Sequence, residues 1–315
     1  MLNRIALTCL TIGWLGFGNN APGNFVLRSD YLVSAGNQIR GYDSSGQVVG
    51  SVTVQPAAPG SIASGPRGFR PLSDGDLAVY SGTFEAGLSL YDIQTSSWTT
   101  YTVPGLSTAN NISYGGLDVL GNSIFLSDMS TGSAGAAQGI VRFDRTSEQF
   151  TRFGEDYSFR TLSIGRDRLL YGVEGNEIVV FDPITLSEES VIRTPFTHDL
   201  RGLAVQSDGR IFGIDWAEML YEYDRNGAVV NSLDVRPFMS SFGDTMDLDI
   251  RFNGDLLFGS RSGDYYLSDS EFSSVDEFST GTTSEVRVAF GIPEPGTATA
   301  CVALAGVAAL RRRRR

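Results

Sequence analysis

Between Asn24 and Gly291 no apolar repeat of helical period persists beyond two turns. Short runs of alternating apolar and polar residues recur instead, punctuated by Gly, Asp, Asn and Ser. That pattern predicts many antiparallel strands joined by tight turns. Leu203 to Asp215 reads as a strand, an Asp208-Gly209 turn and a second strand. Leu220 to Leu233 follows as a third strand, an Asn226-Gly227 turn and a fourth, so about 40 residues make one four-stranded meander.

The meander repeats. An aromatic-Asp pair closes its third strand at Tyr42-Asp43, Tyr91-Asp92, Phe143-Asp144, Phe181-Asp182 and Tyr223-Asp224, with a looser version in Tyr266-Leu-Ser-Asp269. Successive aspartates lie 38 to 52 residues apart. The first half of the unit recurs as well, at Leu117–Leu126, Leu162–Tyr171, Leu203–Phe212 and Leu248–Phe258. A period near 40 to 50 residues with four strands per unit predicts an all-β fold, a β-propeller of six blades. One small twisted sheet cannot bury both faces, whereas a ring of sheets buries each against its neighbours. The expected blades are Asn24–Gln55, Arg67–Pro104, Ile112–Phe153, Tyr157–Thr194, Asp199–Val235 and Asp244–Gly281, with Glu285–Phe290 returning to the first blade as a closing strand. Asp43, Asp92, Asp144, Asp182, Asp224 and Asp269 read as structural: the ring packs between blades and the carboxylate caps backbone N–H groups of the turn. The pattern of Leu-Ala-Val, Asp-Gly, Ile-Phe, Tyr-Asp and Asn-Gly resembles NHL-type six-bladed propellers, a match of strand and turn residues over most of the body.

Both ends read as addresses. Met1-Leu2-Asn3-Arg4 followed by the apolar run Ile5–Phe17 fits a secretory signal peptide, with Gly16-Phe17-Gly18 as a small-x-small cleavage pattern; residues 1–23 are assigned to it and 24–290 to the propeller. Residues 291–315 carry Pro293-Glu294-Pro295, an apolar segment from Gly296 to Leu310, and Arg311, Arg312, Arg313, Arg314 and Arg315. As a helix the apolar segment would span about 22 Å against a hydrocarbon core of about 30 Å, and the arginines would stay on the cytoplasmic side as a stop signal. This tail, from Ile292 to Arg315, resembles the PEP-CTERM sorting signal of exported bacterial proteins. The resemblance implies processing by an exosortase near the Pro-Glu-Pro motif, transient anchoring in the inner membrane, and delivery to the cell envelope or extracellular polysaccharide.

Composition then changes the picture of the body. The chain has 315 residues and 24 basic against 36 acidic groups, and every basic group is Arg. Removing Arg4 and the terminal arginines leaves 18 Arg against 35 or 36 acids, so the body alone is near −17 or −18. A nucleic-acid partner would require the opposite sign. Cys9 and Cys301 both fall in the removable ends, which leaves a body without thiols or disulfides.

Chemistry is sparse. A Ser-His-Asp arrangement would need His198, the one histidine, and zinc has too few ligands. The inserted stretch Ser127–Gly139 reads as a surface loop, and Gly115-Gly116 and Gly132–Gly135 precede no helix that could cradle phosphate. No catalytic residue and no bound cofactor is expected, with one exception. Propellers of the gluconolactonase group bind a divalent ion at the channel through Glu, Asn and Asp. Asp244, Asp247 and Asp249, with Asp74 and Asp76 in an earlier blade, are the candidate metal ligands, and calcium is the candidate ion. In a strand Asp247 and Asp249 share a face, where they repel unless a cation or water lies between them. Three functions follow. The first is a non-enzymatic, exosortase-sorted binding or adhesion scaffold at the envelope. The second is a metal-dependent lactonase or lyase acting on sugars. The third is a periplasmic protein that keeps its membrane anchor.

Overall fold

The structure is a computed structural model and describes residues 25–55, 66–81, 87–105, 116–128, 138–195, 200–239, 245–251 and 253–291. The signal peptide, the sorting tail beyond Gly291, His198 and Asp244 lie outside the described residues. Among the described residues, no helix is long and apolar enough to cross a membrane.

Six four-stranded antiparallel sheets make up the body. In blades two to six the strands follow chain order, and the first is the innermost: Gly68–Pro71, Leu117–Leu120, Thr161–Ile164, Leu200–Val205 and Thr245–Ile250. Blade one is completed from both ends of the chain. Its innermost strand is Val288–Phe290, which pairs with Tyr31–Ala35 through Tyr31↔Phe290, Leu32↔Ala289 and Val33↔Val288. Gln38–Tyr42 and Val48–Thr53 lie outside them. Neighbouring inner strands touch in the order of the blades, and Val288–Phe290 lies between those of blades six and two, which closes the ring.

The core forms because successive side chains of a strand point to opposite faces of a sheet. Each face of a blade meets a different neighbour. Leu77 and Val79 face blade one, whereas Ala78 and Tyr80 face blade three. The described residues form six hydrophobic clusters, one at each boundary between blades. Tyr42, Tyr91, Phe143, Phe181 and Tyr223 are all buried in these clusters. A short helix, Phe25–Arg28, seals the outside of the boundary between blades one and two by burying Phe25 and Val26.

The strands are ended by local chemistry. Gly209 and Gly227 hold φ of +87° and +83°, a left-handed backbone that a side chain would strain. The Asp224 carboxylate accepts from the backbone N–H groups of Asn226 and Ala228 at 2.8 and 2.9 Å. Asp43, Asp92, Asp144, Asp182 and Asp269 each accept two turn N–H groups in the same way. All six carboxyls lie below their ordinary value, Asp43 mainly through the Ser45 hydroxyl, Asp269 at about 2 mainly through the Ser273 hydroxyl, and the other four mainly through these N–H bonds.

Candidate functional site in the central channel

All six inner strands run the same way, so their first residues gather at one end of the channel and their last residues at the other. The innermost strand of each blade has one unpaired edge, and its N–H and C=O groups need partners. Charged side chains of the adjacent inner strands supply them. The Asp118 carboxylate accepts from Ile164 N at 2.6 Å, Asp247 from Val288 N at 3.1 Å, and Asp249 from Phe290 N at 2.8 Å. In the reverse sense Arg70 donates to the Val288 carbonyl at 3.0 Å, and Arg287 donates to the Met246 carbonyl.

Asp247 and Asp249 thus share a face, and their charge is met by Arg70. Its guanidinium lies 3.5 Å from Asp118 and 3.9 Å from Asp247, with Asp249 also within electrostatic reach. Among the described residues Arg70 faces three carboxylates at this level of the channel, and Arg287 also acts on Asp247. Burial, opposed by Arg70 and reinforced by Asp249, pushes the Asp118 carboxyl up to about 6. Burial raises Asp247 in the same direction, while the three carboxylates raise Arg70.

The remaining candidate ligands are placed elsewhere. Asp74 and Asp76 sit in the turn after the inner strand of blade two, where both pair with Arg145 of blade three at 2.9 and 3.0 Å. The Asp76 carboxylate also accepts from Ile93 N. The structure therefore gives these two a role in joining blades and does not gather them with Asp247 and Asp249. Among the described residues no group of three His, Cys, Asp or Glu side chains converges as a metal site would require.

A different cluster occupies the entrance of the channel, and composition alone did not reveal it. Arg67, Arg160, Arg201 and Arg287 stand at the heads of the inner strands of blades two, four, five and one. Glu285 is the hub beside them. It pairs with Arg67 and with Arg261 at 3.5 Å, and lies 3.8 Å from Arg287. Trp216, in the turn after the second strand of blade five, has the Arg201 guanidinium 4.2 Å from its ring centroid and that of Arg261 5.9 Å away. Arg287 is only 4% exposed, and burial lowers its affinity for the proton, helped by Arg67 and Arg201 close by. An arginine at the head of the repeat was the available sequence signal, visible once the units are aligned by their aromatic-Asp pairs.

Six four-stranded blades, closed by strands from the two ends of one chain, define a six-bladed β-propeller with a charged central channel. The fold is shared with two solved structures of virginiamycin B lyase from Staphylococcus aureus. The selenomethionine-substituted enzyme has a TM-score of 0.55 and 12% identity, covering 78% of this chain and 78% of that one. A catalytically inactive variant with quinupristin, in which a histidine is replaced by alanine, has a TM-score of 0.55 and 13% identity over 81% and 85% of the two chains. No protein-family model and no curated protein matches the sequence.

Proposed function

We propose that this chain is an exported bacterial envelope or matrix protein whose propeller binds a ligand instead of transforming one. The observation that carries this reading is the state of the channel carboxylates. Asp118, Asp247 and Asp249 each accept a backbone N–H of the next blade and face Arg70, and Glu285 is held among arginines. A general base or metal ligand is aimed at its substrate, whereas these carboxylates are aimed at strand edges and guanidiniums. These groups instead build a rigid wall behind the arginine-lined entrance. The exosortase-type tail supplies the address, through Pro293-Glu294-Pro295 and the arginines that follow the apolar segment. Extracellular polysaccharide and other envelope components are the corresponding partners.

Mass spectrometry of the protein recovered from envelope and medium tests the address. A C-terminus near Pro293 to Pro295, lost when the host's exosortase gene is deleted, is the expected result. An intact Arg311–Arg315 end on the exported protein would refute processing and favour the permanently anchored form.

A second reading, a propeller lyase or lactonase, draws on the shared fold with virginiamycin B lyase. Incubating the purified protein with quinupristin and with sugar lactones, with and without calcium or magnesium, decides between them. Turnover above the buffer rate would overturn the binding reading.

A further inference from the structure

The outermost strand of each blade leaves one row of N–H and C=O groups without a ladder partner, and proteins commonly guard such an edge with charge, above all Lys. This chain has no Lys. Arg152, Glu189, Asp234 and Asp276 stand on the outer strands of blades three, four, five and six. The outer strands of blades one and two, Val48–Thr53 and Ser97–Thr102, carry no charge, and neither do the stretches around them, 44–55 and 93–105.

Blade three engages the second of these edges. Arg152 donates to the Pro104 carbonyl at 3.0 Å, and the Tyr101 hydroxyl donates to Glu148 at 3.1 Å. Among the described residues no side chain of another blade hydrogen-bonds to Val48–Thr53, and Phe25 packs over Gly50 on one face of that strand. The Val54 N–H donates inward to the Asn37 carbonyl at 2.8 Å, and Val52 and Gly50 stand opposite Ile39 and Gly41 in the same phase. Antiparallel ladders bond alternate residues, so Ser51 and Thr53 turn their N–H and C=O groups outward. Both residues are exposed, and Val48 at the start of the strand is 55% exposed.

We propose that this edge is a self-association surface: Val48–Thr53 of two copies pair antiparallel about a two-fold axis and join two four-stranded blades into one sheet. A second copy is the occupant that charge favours. Each body is near −17, so two copies repel over most approaches. Contact along charge-free strands costs least, and two-fold pairing sets such a strand against its own equal. Six residues of ladder are less than an obligate interface offers, so the dimer forms and dissociates with concentration. A two-fold contact also closes on itself, which stops growth at the dimer. The inference is independent of what the channel binds.

Sedimentation of the purified exported protein over a concentration series, in 0.05 and 0.5 M NaCl, tests it. The mass is expected to rise from monomer towards dimer, and the association to tighten in the higher salt as repulsion between the bodies is screened. Ser51→Lys and Thr53→Lys are each expected to weaken the dimer by about tenfold with the melting midpoint unchanged, because each adds a charge that the pairing must bury. Thr100→Lys, on the exposed outer strand of blade two, is expected to leave it intact. Amide exchange at Ser51 and Thr53 should slow as protein concentration rises. A monomer under every condition, or a dimer untouched by both blade-one variants, would overturn the surface. Dissociation on raising salt would show paired charges at the contact and overturn it equally, and growth past the dimer would refute the two-fold axis. Where a lysine variant lowers the melting midpoint, the exchange measurement on the unaltered protein decides.

Discussion

The Asp247 carboxylate reaches across a blade boundary to accept the Val288 N–H at 3.1 Å, while its own strand's Leu248 N–H is bonded at 3.0 Å to the other oxygen. One side chain therefore completes the channel edge of two blades at the point where the ring closes. Replacing Asp247 by Ala leaves the Val288 N–H without its acceptor and removes one of the carboxylates that balance Arg70. Asp118 and Asp249 still balance Arg70, so the expected loss is about 1–3 kcal/mol, the cost of a buried donor left without an acceptor. Asp247→Asn keeps an acceptor and should lose less. Denaturant midpoints of the two variants check the order.

Asp118 makes stability depend on pH in an unusual direction. Its carboxyl is raised from 3.8 to about 6 in the folded protein, so the native state binds a proton that the unfolded chain has already released. Its contribution is favourable below about 4 and is lost as pH rises to about 6, a span equivalent to about 3 kcal/mol. Asp118→Asn should flatten the stability profile between pH 4 and 6 while keeping the bond to Ile164 N. Equilibrium unfolding at half-unit pH steps measures it, and an unchanged slope would contradict the assignment.

The six turn aspartates act the other way. Their folded values lie below 3.8, so they stabilise at neutral pH and that stabilisation is lost as pH falls towards about 2 at Asp269. Single Ala replacements at Asp92, Asp182 and Asp224 should each lower the melting midpoint, and by similar amounts because the turns are equivalent. The turns belong to separate blades, so a triple variant should show close to the sum. Thermal melts at pH 7 and pH 3 provide the comparison, with smaller differences at the lower pH.

Gly202 marks how closely inner strands approach. A Cβ there would lie 2.5 Å from Leu248 N and 2.7 Å from the Asp247 carbonyl carbon, both backbone atoms of the next blade. Gly202→Ala should cost about 1–3 kcal/mol by forcing the two inner strands apart. Chemical denaturation reads the loss, and a neutral result would mean the channel wall can shift.

The parts of this molecule that were legible in sequence are those whose cause is local. An aspartate that caps its own turn, a Gly with positive φ, and an aromatic ring on the inward face of a strand all leave a mark within five residues. The period of those marks gave six blades, and the alternating run Glu285–Phe290 marked the closing strand, observed as Val288–Phe290. The shared face of Asp247 and Asp249 was legible too, but their neutralising partner was not, because Arg70 comes from a blade distant in the chain. The entrance cluster was hidden for the same reason. Arg67, Arg201, Arg261 and Arg287 come from four blades, and in the composition they are indistinguishable from solubilising surface charge.

The closing strand gives the ring a direction of weakness. Gly291, just past Phe290, donates its N–H to the Asp30 carbonyl at 2.8 Å, so the chain enters and leaves blade one at adjacent points, at the end of the channel away from the arginine entrance. A pull on the chain beyond Gly291 meets the pair Tyr31↔Phe290 first, then Leu32↔Ala289, then Val33↔Val288. The bonds therefore fail in sequence, like a zip, and do not share the load as they would in shear. Mechanically this propeller is a clasp that opens from the end where the chain leaves it.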